Sequence, residues 1–342
     1  MPLGGPSGVH GRAIRDGARL ALEDAHGRAD EVEVEPVFLD DTAGGRWSAG
    51  AVGRNARRAV SDTTAIAYIG EFESGATRVS LPITNDARLL QVSAASAAVD
   101  LVSPFPGSDD VPELVQPSGE RTFGRVIPDD EAQAAAGAAW AGELGARRAV
   151  VVSDGSGYGD TVATEFAEEA EALGIAAQRG RRAPSNVDLV YYAGTDPVPF
   201  EGVIRGSRST VLGTDAQLLD PTTLADANTQ VRLTASAQAP RQLPPEGRRF
   251  VRAYRSEYGR EPDPYAAYGY EAMAVVLDSI ARAGDQAEDR TAVVDAFFDT
   301  VDRRSVLGTY SIDEVGDTTL DRIAGYRVRG GLPVFDTPLR GP

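Results

Sequence analysis

The sequence predicts an α/β protein in which parallel sheets carry helices on both faces. Three observations favour this class. Short apolar runs alternate with helical patterns, the alternation occurs in two successive series, and residues 103–125 between the series are rich in Pro, Gly and Ser. A length of 342 residues is enough for about two domains. We therefore expect two α/β domains with a boundary near residues 103–125.

The first series starts close to the N-terminus. Within residues 12–26, Ile14, Ala18 and Leu22 fall on one helical face, whereas residues 31–41 alternate as a strand does. Taken in order, the patterns predict helix 12–26, strand 31–41, helix 47–60, strand 64–70, helix 75–86 and strand 88–96. This order of strands and helices is typical of parallel sheets.

The second series repeats the same order and is followed by a helical region. It predicts helix 129–144, strand 147–154, helix 158–174, strand 174–179, strand 187–194, a short helix, strand 209–215, helix 220–226 and strand 230–238. Three helical patterns follow at 245–259, 265–284 and 290–301, and two strand-like segments at 308–313 and 322–330 close the chain. The two series together predict two doubly wound parallel sheets.

Composition excludes several classes of site. The formal net charge is −17, which argues against a nucleic-acid or anionic-membrane partner. With no cysteine the chain has no disulfide or thiolate site, and two histidines, His10 and His26, are too few for a His-rich metal site. We expect no metal and no cofactor. No apolar run reaches the ~20 residues of a membrane span.

The segment "GSGYG" at 155–159 resembles a nucleotide-binding loop only superficially. The spacing G-x-G-x-x-G is not met there, and no G-x-x-x-x-G-K-[ST] motif occurs in the chain. It also lacks the G-x-S-x-G pattern of a nucleophile elbow, and no nucleophile–base pairing stands out. We therefore expect the protein not to be an enzyme, with a cleft hydrolase or transferase as the remaining alternative from that class.

The N-terminus departs from the expected pattern. A doubly wound sheet begins with a strand, but this chain begins with the loop-like segment "MPLGGPSGVHG", and its first helix is predicted near Arg12. Either the sheet has an unusual start or the given chain lacks its native N-terminus, and we expect the second. If the native protein is exported, its targeting segment is then also absent from this chain.

Polar loops follow the predicted strands. In open α/β sheets, ligands bind beyond the carboxyl ends of strands, where helix N-termini attract anions. The loops in question are 70–77, 92–100, 153–160, 193–199 and 213–220. They are rich in Ser, Gly, Asp and Tyr and contain no Lys or Arg. Such loops predict a binding site that uses N–H groups, hydroxyls and carboxylates.

These loops, in their order, resemble the type I periplasmic binding proteins, in the leucine/isoleucine/valine-binding branch of ABC-transporter substrate-binding proteins. The resemblance covers residues 4–330. It rests on segments that include "GPSGVHGRAIRDGARLALED", "AIAYIGEFESGATRVSLPITNDARLLQVSAAS", "FGRVIPDDEAQAAA", "AVVVSDGSGYGDTVATEFAEEAEALG", "DLVYYAG", "LGTDA", "YRSEYGREPDPYAAYGYEA" and "SVLGTYSIDEVGD". Each segment alone is weak, but eight in the family's order make a specific match.

The resemblance implies two lobes joined by a three-crossing hinge, with the ligand held in a cleft between them. Carried onto this chain, lobe one comprises residues 1–119 and 240–315, and lobe two comprises residues 120–239 and 316–342. A member of this family captures a small molecule by hinge closure and delivers it to the membrane permease subunits of an ABC importer. We expect a monomer.

The resemblance also implies a carboxylate subsite in lobe one. Ser74 and the loop Ser93–Ala97 correspond to the residues that hold a ligand carboxylate in amino-acid-binding members. At the position of a carboxylate-binding threonine this chain has Ala97, where a backbone N–H could still serve and where Ser96 is one residue away. A carbonyl near Ala95 corresponds to one that meets the ligand ammonium group. Read without the resemblance, Ser74 could simply cap the following helix.

Further positions correspond to other ligand contacts of the family. Asp215 corresponds to the acid that binds the ammonium group, although a helix cap or a solvated position is the alternative. Tyr158, His10 and Tyr265 correspond to aromatic contacts, and Thr195 stands where the family often has an aromatic residue. Core packing is the alternative for Tyr158, and exposure is the alternative for His10.

Two glutamates, Glu71 and Glu73, lie close to Ser74 in the sequence. Glu71 and Glu73 are expected to be solvated, since acidic side chains are seldom buried without a partner. The function predicted is a solute receptor for an amino acid or a similar small zwitterion. A regulatory sensor domain of the same fold is the alternative, and sequence leaves the identity of the ligand open.

Overall fold

The computed structural model describes residues 1–104, 110–181, 186–219, 224–225 and 230–341. Its helices are α1 (Gly8–Asp24), α2 (Ala49–Ser61), α3 (Ser74–Asp86), α4 (Val111–Val115), α5 (Asp130–Glu143), α6 (Gly157–Ala172), α7 (Pro197–Gly206), α8 (Ala216–Leu219), α9 (Pro245–Tyr258), α10 (Pro264–Ala283) and α11 (Arg290–Phe298). Two short 3-10 helices span Val99–Leu101 and Gly284–Gln286. Most of the helix predicted at 220–226 lies outside the described residues.

The strands of the structure include most of those that the two series predicted. They are β1 (Arg28–Ala29), β2 (Val32–Glu33), β3 (Thr42–Ala43), β4 (Arg46–Trp47), β5 (Ala67–Ile69), β6 (Leu90–Ser93), β7 (Phe123–Arg125), β8 (Arg148–Ser153), β9 (Ala176–Arg179), β10 (Leu189–Ala193), β11 (Thr210–Gly213), β12 (Val231–Ala235), β13 (Arg303–Arg304), β14 (Thr309–Tyr310), β15 (Arg322–Arg329) and β16 (Leu332–Arg340).

The chain forms two compact units. Unit 1 comprises Met1–Pro128 and Ala239–Leu320, and unit 2 comprises Asp129–Gln238 and Asp321–Pro342. The chain therefore passes from one unit to the other three times. The first passage comes later than the expected boundary at residue 119, because β7 pairs with β6 and so belongs to unit 1.

Unit 1 contains a parallel sheet with the strand order β5-β6-β7. Helices α1 and α10 pack closely against each other, and two glycines permit this contact. A Cβ on Gly17 would lie 1.9 Å from Ala266 O, and one on Gly269 would lie 2.2 Å from Ile14 O. Any larger residue would force these helices apart. The carboxyl ends of β5 and β6 lead into the loops that contain Ser74 and Ser96.

Unit 2 contains a seven-stranded sheet with the order β16-β15-β12-β11-β10-β8-β9. Strands β8 to β12 are parallel to one another, whereas β15 runs antiparallel to both of its neighbours, β12 and β16. In its core the ring of Tyr191 stacks on Phe166, with centroids 3.7 Å apart. The carboxyl ends of β8, β10 and β11 lead into the loops that contain Tyr158, Thr195 and Asp215. The α/β class with parallel-dominated sheets is confirmed.

The structure corrects three element predictions. Residues 31–41 do not form a sheet strand, because only Val32–Glu33 pairs with another segment and Pro36 lacks an N–H for a ladder. Strands β1, β3, β4, β7, β13 and β16 and helix α4 were not predicted. Helix α1 begins at Gly8 rather than near Arg12, so His10 lies in its first turn instead of in a loop.

Candidate functional site

Ser74 lies at the start of α3 but does not cap it. Glu73 occupies the N-cap position, and the hydroxyl of Ser74 accepts a hydrogen bond from the N–H of Ala98 at 3.2 Å. The capping interpretation of Ser74 is therefore wrong. Within the described part of the chain, no protein group accepts the hydroxyl proton of Ser74. This hydroxyl is partly exposed and can donate to a ligand.

The loop after β6 is held by hydrogen bonds of its own. The hydroxyl of Ser93 donates to Glu71 O at 2.8 Å and accepts from the N–H groups of Ala95 at 3.2 Å and Ser96 at 2.9 Å. The hydroxyl of Ser96 is buried and bonds to Thr77 Oγ1 at 2.7 Å and to Glu71 O at 3.1 Å. The Ser96 side chain is thus engaged within unit 1. What the loop can offer to a ligand is the backbone of Ala95 and Ala97.

The expectation that Glu71 is solvated is wrong. Its side chain is 1% exposed, receives a hydrogen bond from the hydroxyl of Tyr68 and lies 3.2 Å from the Met1 amino group. Burial, with the nearby charge of Glu71, raises the pKa of the Tyr68 phenol. Glu73 is partly buried and accepts from the Ser7 hydroxyl at 3.3 Å. Glu71 therefore belongs to the interior of unit 1.

His10, Phe72 and Tyr265 form an aromatic cluster in unit 1. The ring of His10 is stacked on Phe72 at 5.9 Å and meets Tyr265 edge-on at 5.5 Å, while Phe72 and Tyr265 lie 5.0 Å apart. Asp263 caps α10 by accepting from the N–H of Tyr265, and its other oxygen lies 2.9 Å from His10 Nδ1. The structure thus brings together two predicted contacts, His10 and Tyr265, in one mostly buried group.

Asp215 lies at the end of β11 in unit 2 and is surrounded by donors. Burial raises the pKa of its carboxyl, although hydrogen bonds from the Gln133 amide and from the N–H groups of Ser236 and Ala216 act in the opposite direction. Gln133 and Ser236 are fully buried. A partly buried carboxylate in such a setting binds a matched cation strongly once water is excluded.

Three buried hydroxyls near Asp215, namely Tyr158 Oη, Tyr191 Oη and Thr214 Oγ1, make no hydrogen bond of good geometry in the described part of the protein. The hydroxyls of Tyr158 and Thr214 interact with each other, but only weakly. Burial, followed by the charge of Asp215, raises the pKa of the Tyr158 phenol. The ring of Tyr158 packs against the core of unit 2, so core packing and ligand contact are compatible for this residue. Buried hydroxyls that are so poorly bonded are uncommon, and they can bond to polar atoms of a ligand.

Thr195 is exposed, and its backbone N–H donates to Asp154 Oδ2 at 2.8 Å. Asp154 also accepts from the N–H of Asp196 at 3.1 Å and from the N–H of Ser156 at 2.9 Å. Burial raises the pKa of Asp154, but these hydrogen bonds outweigh it and the net pKa is lowered. Asp154 therefore fixes the loops after β8 and β10 to each other, and Tyr158 and Thr195 lie in those loops.

Comparison with known proteins identifies the family. The family model of the periplasmic binding proteins matches residues 1–190, which is more than half of the chain. This protein belongs to the periplasmic binding protein family. Members of this family are solute-binding receptors.

Individual relatives point to one branch of the periplasmic binding proteins. A Leu/Ile/Val-binding protein homolog of Brucella melitensis is 22% identical over 97% of this chain and 89% of its own length. The crystal structure of a leucine-binding protein from Thermotoga maritima matches with a TM-score of 0.78 and 25% identity, covering 99% of this chain and 97% of that chain. A solute-binding protein of Rhodopseudomonas palustris in complex with benzoate has a TM-score of 0.74 and 15% identity, covering 100% and 94%. The predicted resemblance to the Leu/Ile/Val-binding branch is confirmed.

Sequence reasoning missed several residues of this periplasmic binding protein's candidate site. Gln133 and Ser236 come from α5 and from the end of β12, and they reach Asp215 only through the fold. Thr214 directly precedes Asp215, so its position next to a predicted ligand contact could have predicted it. Arg125 ends β7, a strand that was not predicted. None of these residues has a spacing pattern that marks it in the sequence.

Among the residues that the structure describes, no helix is both long and apolar enough to cross a bilayer. In the same residues, no group of three or more His, Cys, Asp or Glu side chains is arranged to hold a metal ion.

Proposed function

We propose that this protein is the extracytoplasmic receptor of an ABC importer and captures an amino acid or a similar small zwitterion. Its two units close on the ligand by a hinge motion, and the loaded monomer docks on the permease subunits in the membrane. Family membership and the relatives of the Leu/Ile/Val-binding branch support this reading. A leucine-binding relative and a benzoate-bound relative share the fold, so fold alone does not fix the ligand.

The observation that carries the proposal is the cluster around Asp215 in unit 2. A carboxylate there accepts several hydrogen bonds, while the buried hydroxyls of Tyr158 and Thr214 have no good partner. An ammonium group would offer three donors, and the charge of Asp215 would be matched. These weakly bonded hydroxyls could then bond to polar atoms of the ligand. We therefore assign the ammonium subsite to Asp215, with Tyr158 and Thr214 beside it.

The carboxylate subsite is assigned to unit 1. Ser74 has a hydroxyl proton to donate, and α3 begins at this residue with free N–H groups and a partial positive charge. The N–H of Ala97 has no acceptor among the described residues, which compensates for the missing threonine hydroxyl at this position. The carbonyl of Ala95 would meet the ammonium group. His10, Tyr265 and Thr195 would contact the remainder of the ligand.

The test combines native mass spectrometry of the purified protein with isothermal titration calorimetry. Spectrometry looks for a co-purified ligand, and calorimetry then measures the twenty L-amino acids, their amides, benzoate and related aromatic acids. We expect at least one amino acid to bind, whereas binding of an aromatic acid alone would remove the ammonium subsite. A protein that carries no ligand and binds no member of this panel would contradict the proposal. The Asp215→Ala variant separates ligands that need an ammonium group from those that do not.

A further inference from the structure

Arg125 is a fully buried arginine at the end of β7 in unit 1. Its guanidinium forms a two-point pair with Asp317, with Nε 2.6 Å from Oδ1 and Nη2 3.0 Å from Oδ2. A buried arginine needs such a partner because the desolvation cost of its charge is large. The remaining nitrogen, Nη1, is directed at the backbone of the loop after β6.

Nη1 of Arg125 donates to Ala98 O at 2.7 Å and lies 3.5 Å from Ser96 O. In a trans peptide the C=O and N–H groups point in opposite directions. The N–H groups of Ala97 and Val99 therefore face away from the guanidinium. Among the described residues neither N–H has an acceptor. Arg125 thus orients two unused donors in the loop that supplies the proposed carboxylate subsite.

The partner of Arg125 is itself held rigidly. Asp313 Oδ1 accepts from the N–H groups of Val315, Gly316 and Asp317 at 2.8 to 3.0 Å. The backbone N–H of Arg125 donates to Gly316 O at 2.9 Å. Gly316 has a φ of +103°, and a Cβ there would lie 2.1 Å from Phe123 O, so only glycine allows this approach. The turn 313–317 therefore holds the guanidinium of Arg125 on the side opposite to the loop after β6.

We propose that Arg125 is a positioning residue for ligand binding. Without touching the ligand, it sets the peptide planes of residues 96–99 so that their N–H groups receive an anionic ligand group. That the ligand carries an anionic group rests on the proposed function. That Arg125 orients the loop rests on its hydrogen bonds within unit 1. This role of Arg125 also explains how a carboxylate can be bound by loops that contain no Lys or Arg, since the cation stands behind the loop backbone rather than in the site.

The test uses Arg125→Lys, which keeps the charge but loses the planar fork. Arg290→Lys is the matched control, because Arg290 also donates to backbone carbonyls in unit 1, including Asp62 O at 2.8 Å and Ala65 O at 3.0 Å. Asp317→Asn is a second variant that loosens the same guanidinium. It supplies the same comparison if Arg125→Lys does not fold.

The first measurement is hydrogen exchange of the ligand-free proteins. The amides of Ser96 and Ala98 are bonded to Ser93 and Ser74, so they report on the order of the loop. We expect Arg125→Lys to raise their exchange roughly tenfold, as loss of a charged hydrogen bond does, with α10 unchanged. Arg290→Lys should leave the loop unchanged. Unaltered exchange at Ser96 and Ala98 in Arg125→Lys would overturn the proposal, whatever the ligand.

The second measurement compares L-leucine with L-leucinamide and benzoate with benzamide. For the pair that the wild type binds, Arg125→Lys should reduce the preference for the carboxylate roughly tenfold, and Arg290→Lys should preserve it. A purely structural role would lower the melting temperature without changing this preference, and that result would overturn the proposal. If the wild type binds another panel member, the comparison uses that ligand and its carboxamide. If it binds no panel member while the loop loosens in Arg125→Lys, the positioning role stands and the proposed function fails.

Discussion

The candidate groups of unit 1 and unit 2 differ in how their hydrogen bonds are satisfied. In unit 1, the hydroxyls of Ser93 and Ser96 bond to neighbouring backbone and side-chain groups, so the loop is already ordered. In unit 2, the hydroxyls of Tyr158 and Thr214 are buried beside Asp215 without good partners. Unit 1 therefore presents neutral donors that are already oriented. In unit 2 the carboxylate of Asp215 and the nearby hydroxyls are desolvated, and the hydrogen bonds of a ligand could offset that free-energy cost.

This difference predicts in which unit a substitution changes ligand affinity and folding stability in opposite directions. Removing a group from unit 1 takes away both internal bonds and ligand bonds, so stability and affinity fall together. Removing a polar group from the cluster in unit 2 takes away ligand bonds but also relieves desolvation. The four predictions below test this contrast, and Kd values refer to the ligand found in the panel described above.

Asp215→Asn is expected to have the largest effect. Loss of the charge that pairs with an ammonium group should weaken binding roughly 100-fold, or about 3 kcal/mol. The melting temperature should be retained or raised, because the neutral amide avoids the desolvation that raises the pKa of Asp215. Calorimetry and thermal unfolding measure the two effects. Glu201→Gln, at an exposed ion pair of unit 2, is the control. A full-affinity Asp215→Asn protein would remove the ammonium assignment.

The pH dependence of binding follows from the direction of the same shift. The pKa of Asp215 is raised above 3.8, so acidification protonates it earlier than an exposed aspartate and removes the charge that the ammonium needs. Affinity should fall as pH drops through the raised pKa, roughly tenfold per pH unit below it. Stability of the ligand-free protein should change in the opposite sense, since the folded state binds the proton more tightly than the unfolded state and gains stability as pH falls toward 3.8.

Calorimetric titrations and unfolding experiments at several pH values measure how the affinity and the ligand-free stability depend on pH. In Asp215→Asn the contribution of this group to the pH dependence should disappear from both curves. If the affinity of the wild type increased on acidification, Asp215 would not be the acid that meets the ligand.

Ser74→Ala should weaken binding roughly tenfold, because one hydrogen bond to a charged carboxylate is lost. Here stability should fall too, by about 1 kcal/mol, since the N–H of Ala98 loses its acceptor. Affinity and the free energy of unfolding are measured on the same samples. Ser61→Ala, at an exposed position in unit 1, should change neither. A Ser74→Ala protein with wild-type affinity and reduced stability would leave Ser74 as a purely internal acceptor.

Thr214→Val should have the smallest effect on affinity, a few-fold loss, because only a neutral hydroxyl is removed. The ligand-free protein should gain stability by about 1 kcal/mol, since Thr214 Oγ1 is buried without a good partner. Tyr158→Phe should behave in the same way. Chemical denaturation and calorimetry distinguish these outcomes. A clear loss of stability in both variants would mean that the hydroxyls are satisfied in the ligand-free protein and would abolish the contrast with unit 1.

Several site features could be anticipated from sequence because they are local. Asp215 follows a β-branched and apolar run, so its position at a strand end is evident, and Tyr158 follows the polar loop after β8 in the same way. The sequence predicted that Ser74 lies near the start of α3, and it does. The alternative that Ser74 caps this helix is wrong, because Glu73 is the residue at the N-cap position. The burial of Glu71 was also missed, since its partner Tyr68 becomes visible only when β5 and its loop are folded.

By itself the sequence determined the α/β class, most helices and strands, and the family. Apolar periodicity is local, and the family's segments recur in order along the chain. Only the tertiary structure decided that Gln133 and Ser236 surround Asp215 and that Arg125 lies behind the loop after β6. It also decided that β7 belongs to unit 1. These facts depend on contacts between residues far apart in the chain, and polar side chains acquire partners, burial and shifted pKa values only when such contacts form.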